Sequence, residues 1–176
     1  MRLFLGIDLP EEIKKQLFHD IDKLRTHHPA FRWIEPKNYH ITVQFFGEVS
    51  NPELVTKRLK DILYDAESFY MTSLNLETVA DKKILLYLNF YRQKKLEKIV
   101  KKIEEDLGED KNREYMPHIS LSRSSLSSKQ QYYALQREIG MMDINIEFEV
   151  KKLTLFESNI AGKTPVYTKI SEFKLL

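Results

Sequence analysis

The chain has 176 residues, a formal net charge of +2 and 42% hydrophobic residues, values typical of a soluble globular protein with a sizeable core. It contains no cysteine, which excludes disulfides, thiol nucleophiles and cysteine-ligated metals. The apolar start is too short for a signal peptide, and no apolar run reaches the roughly 18 residues of a membrane span, so we expect a cytoplasmic protein.

The first half of the chain predicts two strands, each followed by a helix. Residues 2–8 form an apolar strand, and Pro10 with two glutamates after it begins a helix that extends to about Arg25. After a turn at 36–38, a second strand covers about 39–47 and ends at Gly47. A capping pattern at 50–53 begins a helix that reaches Leu63. Its predicted inward side chains are Leu54, Leu59, Ile62 and Leu63.

The second half predicts a longer series of strands with two more helices. Two strands at about 69–79 and 83–91, joined by Asp81-Lys82, precede a lysine-rich helix at 92–107, interpreted as a solvated face rather than a phosphate-binding surface. The remaining predicted segments are a charged loop at 109–114, a strand at 118–123, a loop at 124–128, a helix to about Ile139, a strand at 144–150, a new strand after the change of phase at 151–152, a turn at 161–163 and a last strand at 165–175.

One short pattern occurs in two of the predicted strands: histidine, apolar residue, hydroxyl residue, apolar residue. The copies are His40-Ile41-Thr42-Val43 and His118-Ile119-Ser120-Leu121. Because strand side chains alternate between faces, each histidine shares a face with its hydroxyl residue. Two imidazoles and two hydroxyls in one cleft can transfer protons and bind the oxygens of a phosphodiester without a metal.

The repetition of this pattern argues against a purely structural role. A single histidine in a strand is more often structural than catalytic, but two such copies among five histidines are rare by chance. His19, His27 and His28 lack the pattern and are interpreted as surface residues. The copies lie 78 residues apart, each with a helix before and after it, which indicates an internal duplication. We therefore predict an α+β fold with two pseudo-symmetric lobes of mainly antiparallel sheet and outer helices, which face each other across a central cleft.

With both motifs in place, the chain resembles the two-histidine (2H) phosphoesterase superfamily, and most closely the RNA 2′,3′-cyclic phosphodiesterases, also known as 2′-5′ RNA ligases. The resemblance extends over nearly the whole length and implies one bilobal domain over residues 1–176. The residues that carry it outside the motifs are 2–10, 32–33, 38–39, 46–48, Pro117, Arg123 and 153–158.

Two positions depart from what is common in that family. Ser120 stands where threonine is usual, so the hydroxyl is kept but its χ1 is less restricted. Gln44 stands where many members carry a cation, so positive charge for a phosphate must come from elsewhere. The resemblance favours Arg123, yet strict alternation from His118 turns Arg123 to the opposite face unless the strand ends or bulges. A structural ion pair is the alternative role for Arg123.

The resemblance implies hydrolysis of a terminal 2′,3′-cyclic phosphate on RNA to a 2′-phosphate, without a cofactor or metal. The reverse chemistry would join RNA ends through a 2′-5′ bond. By analogy with the family, His40 is the general acid and His118 the general base, while Thr42, Ser120 and Arg123 bind the phosphate; the sequence alone does not distinguish the two histidine roles. The expected partners are RNA 3′ ends with a cyclic phosphate, tRNA fragments among them, and the expected state is a monomer away from membranes.

Three alternatives remain open at this point. A metal-dependent phosphodiesterase usually needs three protein ligands at a catalytic zinc, and no suitable spacing supplies them. A phosphodiesterase acting on small cyclic nucleotides would use the same motifs. A non-catalytic RNA-binding module would stack bases on Phe31, Trp33 and Tyr39, although these aromatic residues are better interpreted as core packing.

Overall fold

The computed structural model describes residues 1–80, 83–107, 114–125, 128–160 and 164–176. Eight antiparallel strands form a sheet in the order β6-β3-β4-β5-β2-β1-β7-β8. The strands are β1 (Arg2–Asp8), β2 (His40–Glu48), β3 (Phe69–Ala80), β4 (Lys83–Phe90), β5 (His118–Ser125), β6 (Glu147–Val150), β7 (Lys152–Asn159) and β8 (Val166–Lys174). The helices are α1 (Glu11–Asp20), α2 (Asp22–His27), α3 (Pro52–Leu63), α4 (Lys94–Leu107) and α5 (Lys129–Gly140).

The two motif strands, β2 and β5, lie side by side in the middle of the sheet. They are joined through the backbone pair Ile41 and Ile119. From there β2 continues into β1, β7 and β8, and β5 continues into β4, β3 and β6. Where β2 diverges from β5, Trp33 pairs with Ser122 instead. The α+β prediction with two lobes of antiparallel sheet is confirmed, and the lobes are two halves of a continuous sheet.

A shared core covers one face of this sheet. Buried aliphatic side chains from the helices, such as Leu17, Leu59 and Leu96, belong to the same cluster as the inward residues of both motif strands. Burial of this apolar surface is the main stabilising contribution to the fold. It also leaves the opposite face of the central strands, where the motif histidines lie, free for chemistry.

The structure corrects two details of the predicted elements and identifies the N-cap of α3. The first helix is interrupted at Ile21, whose ψ of 6° departs from helical geometry, and a second short helix continues beyond Arg25. Leu54 is 51% exposed rather than inward, because the buried stripe of α3 passes through Leu59 and Leu63, five and nine residues later, out of helical phase with it. Asn51 is the N-cap of α3, its side chain accepting from the Leu54 backbone N–H.

The strand predicted at 144–150 is shorter in the structure, because side-chain bonds replace its first ladder bonds. The Ser73 hydroxyl donates to the Ile144 carbonyl at 2.6 Å and accepts from the Ile146 N–H at 2.8 Å. Ile144 and Ile146 are both buried in spite of this change. The link at 81–82, most of the loop at 109–114 and the turn at 161–163 lie outside the described residues.

Candidate active site

The four motif side chains lie on the sheet face opposite the helices. Ile41 and Ile119 are 0% exposed and face the core, so alternation turns their neighbours on each strand to the other face. Those neighbours are His40, Thr42, His118 and Ser120. Because the strands run antiparallel through the Ile41–Ile119 pair, His40 lies beside Ser120, and Thr42 lies beside His118. The structure therefore brings together two segments that are far apart in the sequence.

His40 is held by a backbone bond on one side of its ring. Its Nδ1 donates to the Asn38 carbonyl at 2.8 Å, which leaves Nε2 as the nitrogen available to a substrate. The ring lies over β1 at Gly6, where an added Cβ would stand 3.6 Å from the imidazole and 3.2 Å from the Ile41 carbonyl oxygen. Burial lowers the pKa of His40, and the charge of His118 lowers it further, while the bond to Asn38 and the charge of Asp8 oppose this.

His118 has the same anchoring but a more open position. Its Nδ1 donates to the Met116 carbonyl at 2.9 Å, so its Nε2 is again the free nitrogen. The ring is exposed and lies 5.3 Å from the ring of Tyr87 on β4. Two imidazoles fixed through the same nitrogen, one sheltered and one open, form an asymmetric pair of proton carriers.

The two motif hydroxyls are available to a ligand. Among the described residues, neither the Thr42 hydroxyl nor the Ser120 hydroxyl has a hydrogen-bond partner within the chain. The backbone beside Thr42 is fixed, because the largely buried Tyr115 donates its hydroxyl to the Thr42 carbonyl at 2.8 Å. Tyr115 precedes the second motif and thus ties it to the first motif strand. No periodic pattern around Tyr115 in the sequence marks this tyrosine as part of the site.

A bulge in β5 decides where Arg123 points. Ser120 pairs with Tyr87 and Ser122 pairs with Leu86, so Leu121 is an extra residue in β5. Leu121 and Ser122 are consecutively buried, and Arg123 is exposed on the same face as Ser120. Strict alternation would have turned Arg123 to the opposite face, and this bulge turns it to the face of the motif side chains.

A matching bulge in β2 changes the interpretation of Gln44. In the pairing with β1, Val43 is an extra residue, and Val43 and Gln44 are consecutively buried at 3% and 4% exposure. Phe45 then faces the site side, where its ring lies 5.7 Å from that of Phe4. Gln44 therefore turns away from the site, and the residue type at this position does not decide which charge faces a phosphate there.

Aromatic rings surround His40 on the lobe that contains β1, β7 and β8. We call this set the aromatic wall; it consists of Phe4, Phe45, Phe156 and Tyr167. The His40 ring lies 4.9 Å from Phe4 and 5.1 Å from Tyr167. Phe45 is 52% exposed, whereas Phe4 is buried beneath it. Burial raises the pKa of Tyr167, and the charges of Arg123 and Arg2 oppose this.

The other lobe presents polar groups beside His118. We call this set the polar patch; it consists of Asn75, Glu77, Tyr87 and Asn89. Asn89 pairs with His118 across the strands, and Tyr87 pairs with Ser120 and with Glu77. The Asn89 amide donates to Glu77 at 2.6 Å and to Asn75 at 3.2 Å. Cross-strand partners share a face, so the patch continues from the motif side chains of β5.

A charged cluster lies next to His40 on β1. Asp8 is the cross-strand partner of His40. Its carboxylate binds Lys14 at 2.8 Å and Lys169 at 2.6 Å, and Lys14 also binds Glu11 at 3.0 Å. Burial raises the pKa of Asp8, but the bonds to the two lysines outweigh it and hold the pKa below its usual value. Lys14 is 4% exposed, and the helical pattern of α1 did not mark it as a buried charge.

Residues that the sequence analysis named outside the two motifs have structural roles. Phe31 and Tyr39 are buried at 7% and 1% exposure, as expected for core packing. His28 is wrongly predicted at the surface: it is 7% exposed and binds Glu138 of α5 at 3.0 Å, while the exposed His27 binds the same carboxylate. Arg32 also has a backbone role, because its carbonyl accepts from the Ser122 hydroxyl at 3.0 Å.

The part of the chain that the structure describes contains neither a cluster of metal ligands nor a membrane-spanning helix. In the parts of the chain that are described, no group of three or more His, Asp or Glu side chains is placed to hold a metal ion. No helix in those same ranges combines the length and apolar character that a membrane crossing requires.

The bulged motif strands, the histidine pair and the two flanking lobes define a two-histidine phosphoesterase. The family model for the 2′-5′ RNA ligase superfamily matches residues 9–159, and the chain belongs to that family. A curated relative from Methanocaldococcus jannaschii, named RNA 2′,3′-cyclic phosphodiesterase, is 30% identical over 98% of this chain and 100% of its own length. A relative of the same name from Thermotoga maritima is 26% identical over 98% of this chain and 94% of its own length.

Solved structures agree with this assignment. TT0787 of Thermus thermophilus shares the fold with a TM-score of 0.77 at 22% identity, covering 99% of this chain and 98% of that one. Escherichia coli LigT, solved in complex with 3′-AMP, matches with a TM-score of 0.70 at 26% identity over 99% of this chain and 97% of that one. The predicted family and fold are confirmed.

Proposed function

We propose that this protein is an RNA 2′,3′-cyclic phosphodiesterase that converts a terminal cyclic phosphate to a 2′-phosphate by acid-base catalysis. The observation that carries the proposal is the pair of identically anchored imidazoles, each bonded through Nδ1 to a backbone carbonyl two residues earlier. Both Nε2 atoms are left for a single phosphorus centre. The names of the curated relatives support the substrate, and they support it over a non-catalytic RNA-binding role.

The surroundings of the two histidines support different roles for them. In an in-line displacement the attacking and leaving oxygens lie on opposite sides of phosphorus. The aromatic wall beside His40 offers exposed ring surface at Phe45 on which a nucleobase can stack, so the ribose lies on the His40 side. The leaving 3′ oxygen then receives its proton from His40, and His118, the more exposed imidazole, takes the proton of the attacking water.

The low pKa of free His40 fits this scheme only because the substrate is an anion. Burial favours the neutral imidazole, whereas a phosphate within a few ångströms favours the protonated form. Asp8, the cross-strand partner of His40, acts in the same direction as the phosphate. Binding of the cyclic phosphate therefore favours the protonated form of His40, which is the form that acts as the acid in cleavage.

The phosphate oxygens are held by the remaining groups on the site face. Thr42 and Ser120 donate their hydroxyls to the non-bridging oxygens, where charge increases in the transition state. Arg123, brought to this face by the bulge in β5, supplies the positive charge. Gln44 is turned to the core side, so the positive charge at this face comes from Arg123.

The test is turnover of an RNA that ends in a 2′,3′-cyclic phosphate, in the presence of a chelator. We expect the product to carry a 2′-phosphate, and we expect His40→Ala and His118→Ala each to lower kcat by several orders of magnitude with the fold intact by circular dichroism. A matched control is His19→Ala, an exposed histidine of α1, which should keep full activity. Near-normal activity in either motif variant, or loss of activity with chelator, would contradict the proposal.

We also propose the finer points that the resemblance implies. Residues 1–176 act as one bilobal domain, supported by the core cluster that both lobes share. The protein acts as a cytoplasmic monomer on RNA 3′ ends, tRNA fragments among them. Size-exclusion chromatography with light scattering tests the oligomeric state, and sequencing of the cyclic-phosphate RNAs that accumulate in a deletion strain tests the substrates.

A further inference from the structure

The polar patch lies on the side of the phosphate that the terminal nucleotide does not occupy. Within the proposed function, the ribose and base of the RNA end lie against the aromatic wall by His40. In-line geometry then places the attacking group on the His118 side. Asn89 and Tyr87 are the cross-strand neighbours of His118 and Ser120 on this side. An attacking water molecule would contact only a small part of this surface, whereas a larger nucleophile would contact most of it.

The dimensions of the patch match one nucleoside. Neighbouring strands lie about 4.8 Å apart, so Tyr87 stands about one strand spacing and Glu77 about two from the motif strand β5. A nucleoside covers this span if its 5′ hydroxyl lies at the phosphorus, its ribose above Tyr87 and the edge of its base at Glu77. Lys83, the cross-strand partner of Ser125, is exposed on the same face and supplies positive charge for a backbone phosphate of the second RNA.

The hydrogen-bonding groups of the patch are fixed before any ligand binds. Asn89 is 5% exposed, and its amide donates to both Glu77 and Asn75. This bond orients the exposed Glu77 carboxylate, which accepts hydrogen bonds and donates none. Of the four bases, guanine offers two neighbouring N–H donors on its pairing edge and fits such an acceptor best.

We propose that the polar patch is the subsite for the 5′-hydroxyl nucleoside of a second RNA, and that it selects guanosine and favours joining over hydrolysis. This inference rests on the proposed function and adds the position of the acceptor. His118 takes the proton of the 5′ hydroxyl, and the 5′ oxygen forms a bond to phosphorus. The bond from phosphorus to the 3′ oxygen breaks, and His40 protonates that oxygen. The product is a 2′-5′ phosphodiester, and no further reactant is consumed.

The experiment measures both products in one reaction. A donor RNA with a cyclic phosphate is incubated with an excess of a 5′-hydroxyl acceptor RNA that begins with G, A, C or U. Joined and hydrolysed donor are separated on a gel, and a nuclease specific for 3′-5′ bonds identifies the linkage. The ratio of the two products does not depend on the active fraction of the enzyme, so variants can be compared directly.

We expect acceptors that begin with guanosine to give the highest ratio of joining to hydrolysis. Glu77→Gln should lower this ratio about tenfold and remove the preference for guanosine, because the amide replaces one acceptor oxygen by a donor. The control is Glu105→Gln on α4, an exposed glutamate on the helical side of the sheet, which should leave the ratio unchanged.

The outcomes separate this inference from the proposed function. A wild-type protein that hydrolyses no cyclic phosphate overturns both. Hydrolysis without joining, equal joining of the four acceptors, or an unchanged ratio in Glu77→Gln overturns the acceptor subsite alone. If Glu77→Gln slows hydrolysis of the donor without acceptor present, the patch binds the donor nucleoside and the inference is wrong.

Discussion

Breaking the buried ion pair between Asp8 and Lys14 should cost this fold more stability than removing an exposed charge. The Lys14 side chain is 5% exposed and that of Asp8 13%, with 2.8 Å between them. Removing one partner of a buried pair leaves the other charge uncompensated, which costs about 3 to 5 kcal/mol. In Asp8→Asn the Lys14 ammonium keeps Glu11, whose side chain is 76% exposed, so we expect a smaller loss of about 2 to 3 kcal/mol.

The effect of Asp8→Asn should depend on pH. The folded-state pKa of Asp8 is lowered, so its ionised form stabilises the fold above the unfolded pKa of about 3.9, and this contribution is lost as pH falls through the folded value. Urea unfolding at pH 7 and below pH 3 measures the difference. Wild type and variant should differ clearly at pH 7 and converge in acid.

The control for this measurement is Glu11→Gln, which removes the exposed partner of the same lysine and should cost at most about 1 kcal/mol. An Asp8→Asn loss below that of Glu11→Gln at pH 7, or an equal loss at both pH values, would refute the reasoning. Asp8→Asn should also lower the pKa of His40, because the Asp8 carboxylate favours the protonated imidazole. With His40 as the acid, the alkaline limb of the pH–rate profile moves to lower pH.

Three further predictions concern single positions. Ser120→Ala should lower kcat by about 10² to 10³ with little change in KM, as expected for a donor that acts in the transition state; Ser125→Ala, at the far end of β5, is the control for steady-state assays. Arg123→Gln should lower kcat/KM by at least about tenfold, and an unchanged value would favour the structural ion pair instead. Gly47→Ala should destabilise the fold by about 1 to 2 kcal/mol in urea titrations, because Gly47 has a φ of +66° and no atom lies near the added Cβ, so only backbone strain is felt.

The sequence predicts most of the fold because its strands and helices bury one face each. The period-two alternation of Ile41 and Val43 and the helical spacing of Leu96, Ile99 and Ile103 both correspond to buried residues. The order of the strands follows from no local pattern. It depends on which apolar faces pack together, so the central pairing of β2 with β5 required the structure.

The candidate site could be proposed from the sequence where a repeated motif marks it, and not elsewhere. His40 and His118 stand out by their surroundings in sequence, whereas Tyr115 acts through a single hydroxyl on a backbone carbonyl. His28 was misplaced because burial there depends on Glu138, more than a hundred residues away. Phe45 and Glu77 carry no motif, and only the register of their strands brings them to the site face.

The two bulges have a consequence for how the two halves of the molecule differ. Each adds its extra residue three positions after the motif histidine, at Val43 and Leu121. The residue five positions after each motif histidine is thereby exposed on the site face. It is Phe45 in the first copy and Arg123 in the second. A ring and a guanidinium thus occupy twin positions, one suited to a base and one to a phosphate. A difference at that one position gives two similar half-sites unlike surfaces for the two ends of an asymmetric ligand, while the two imidazoles remain matched.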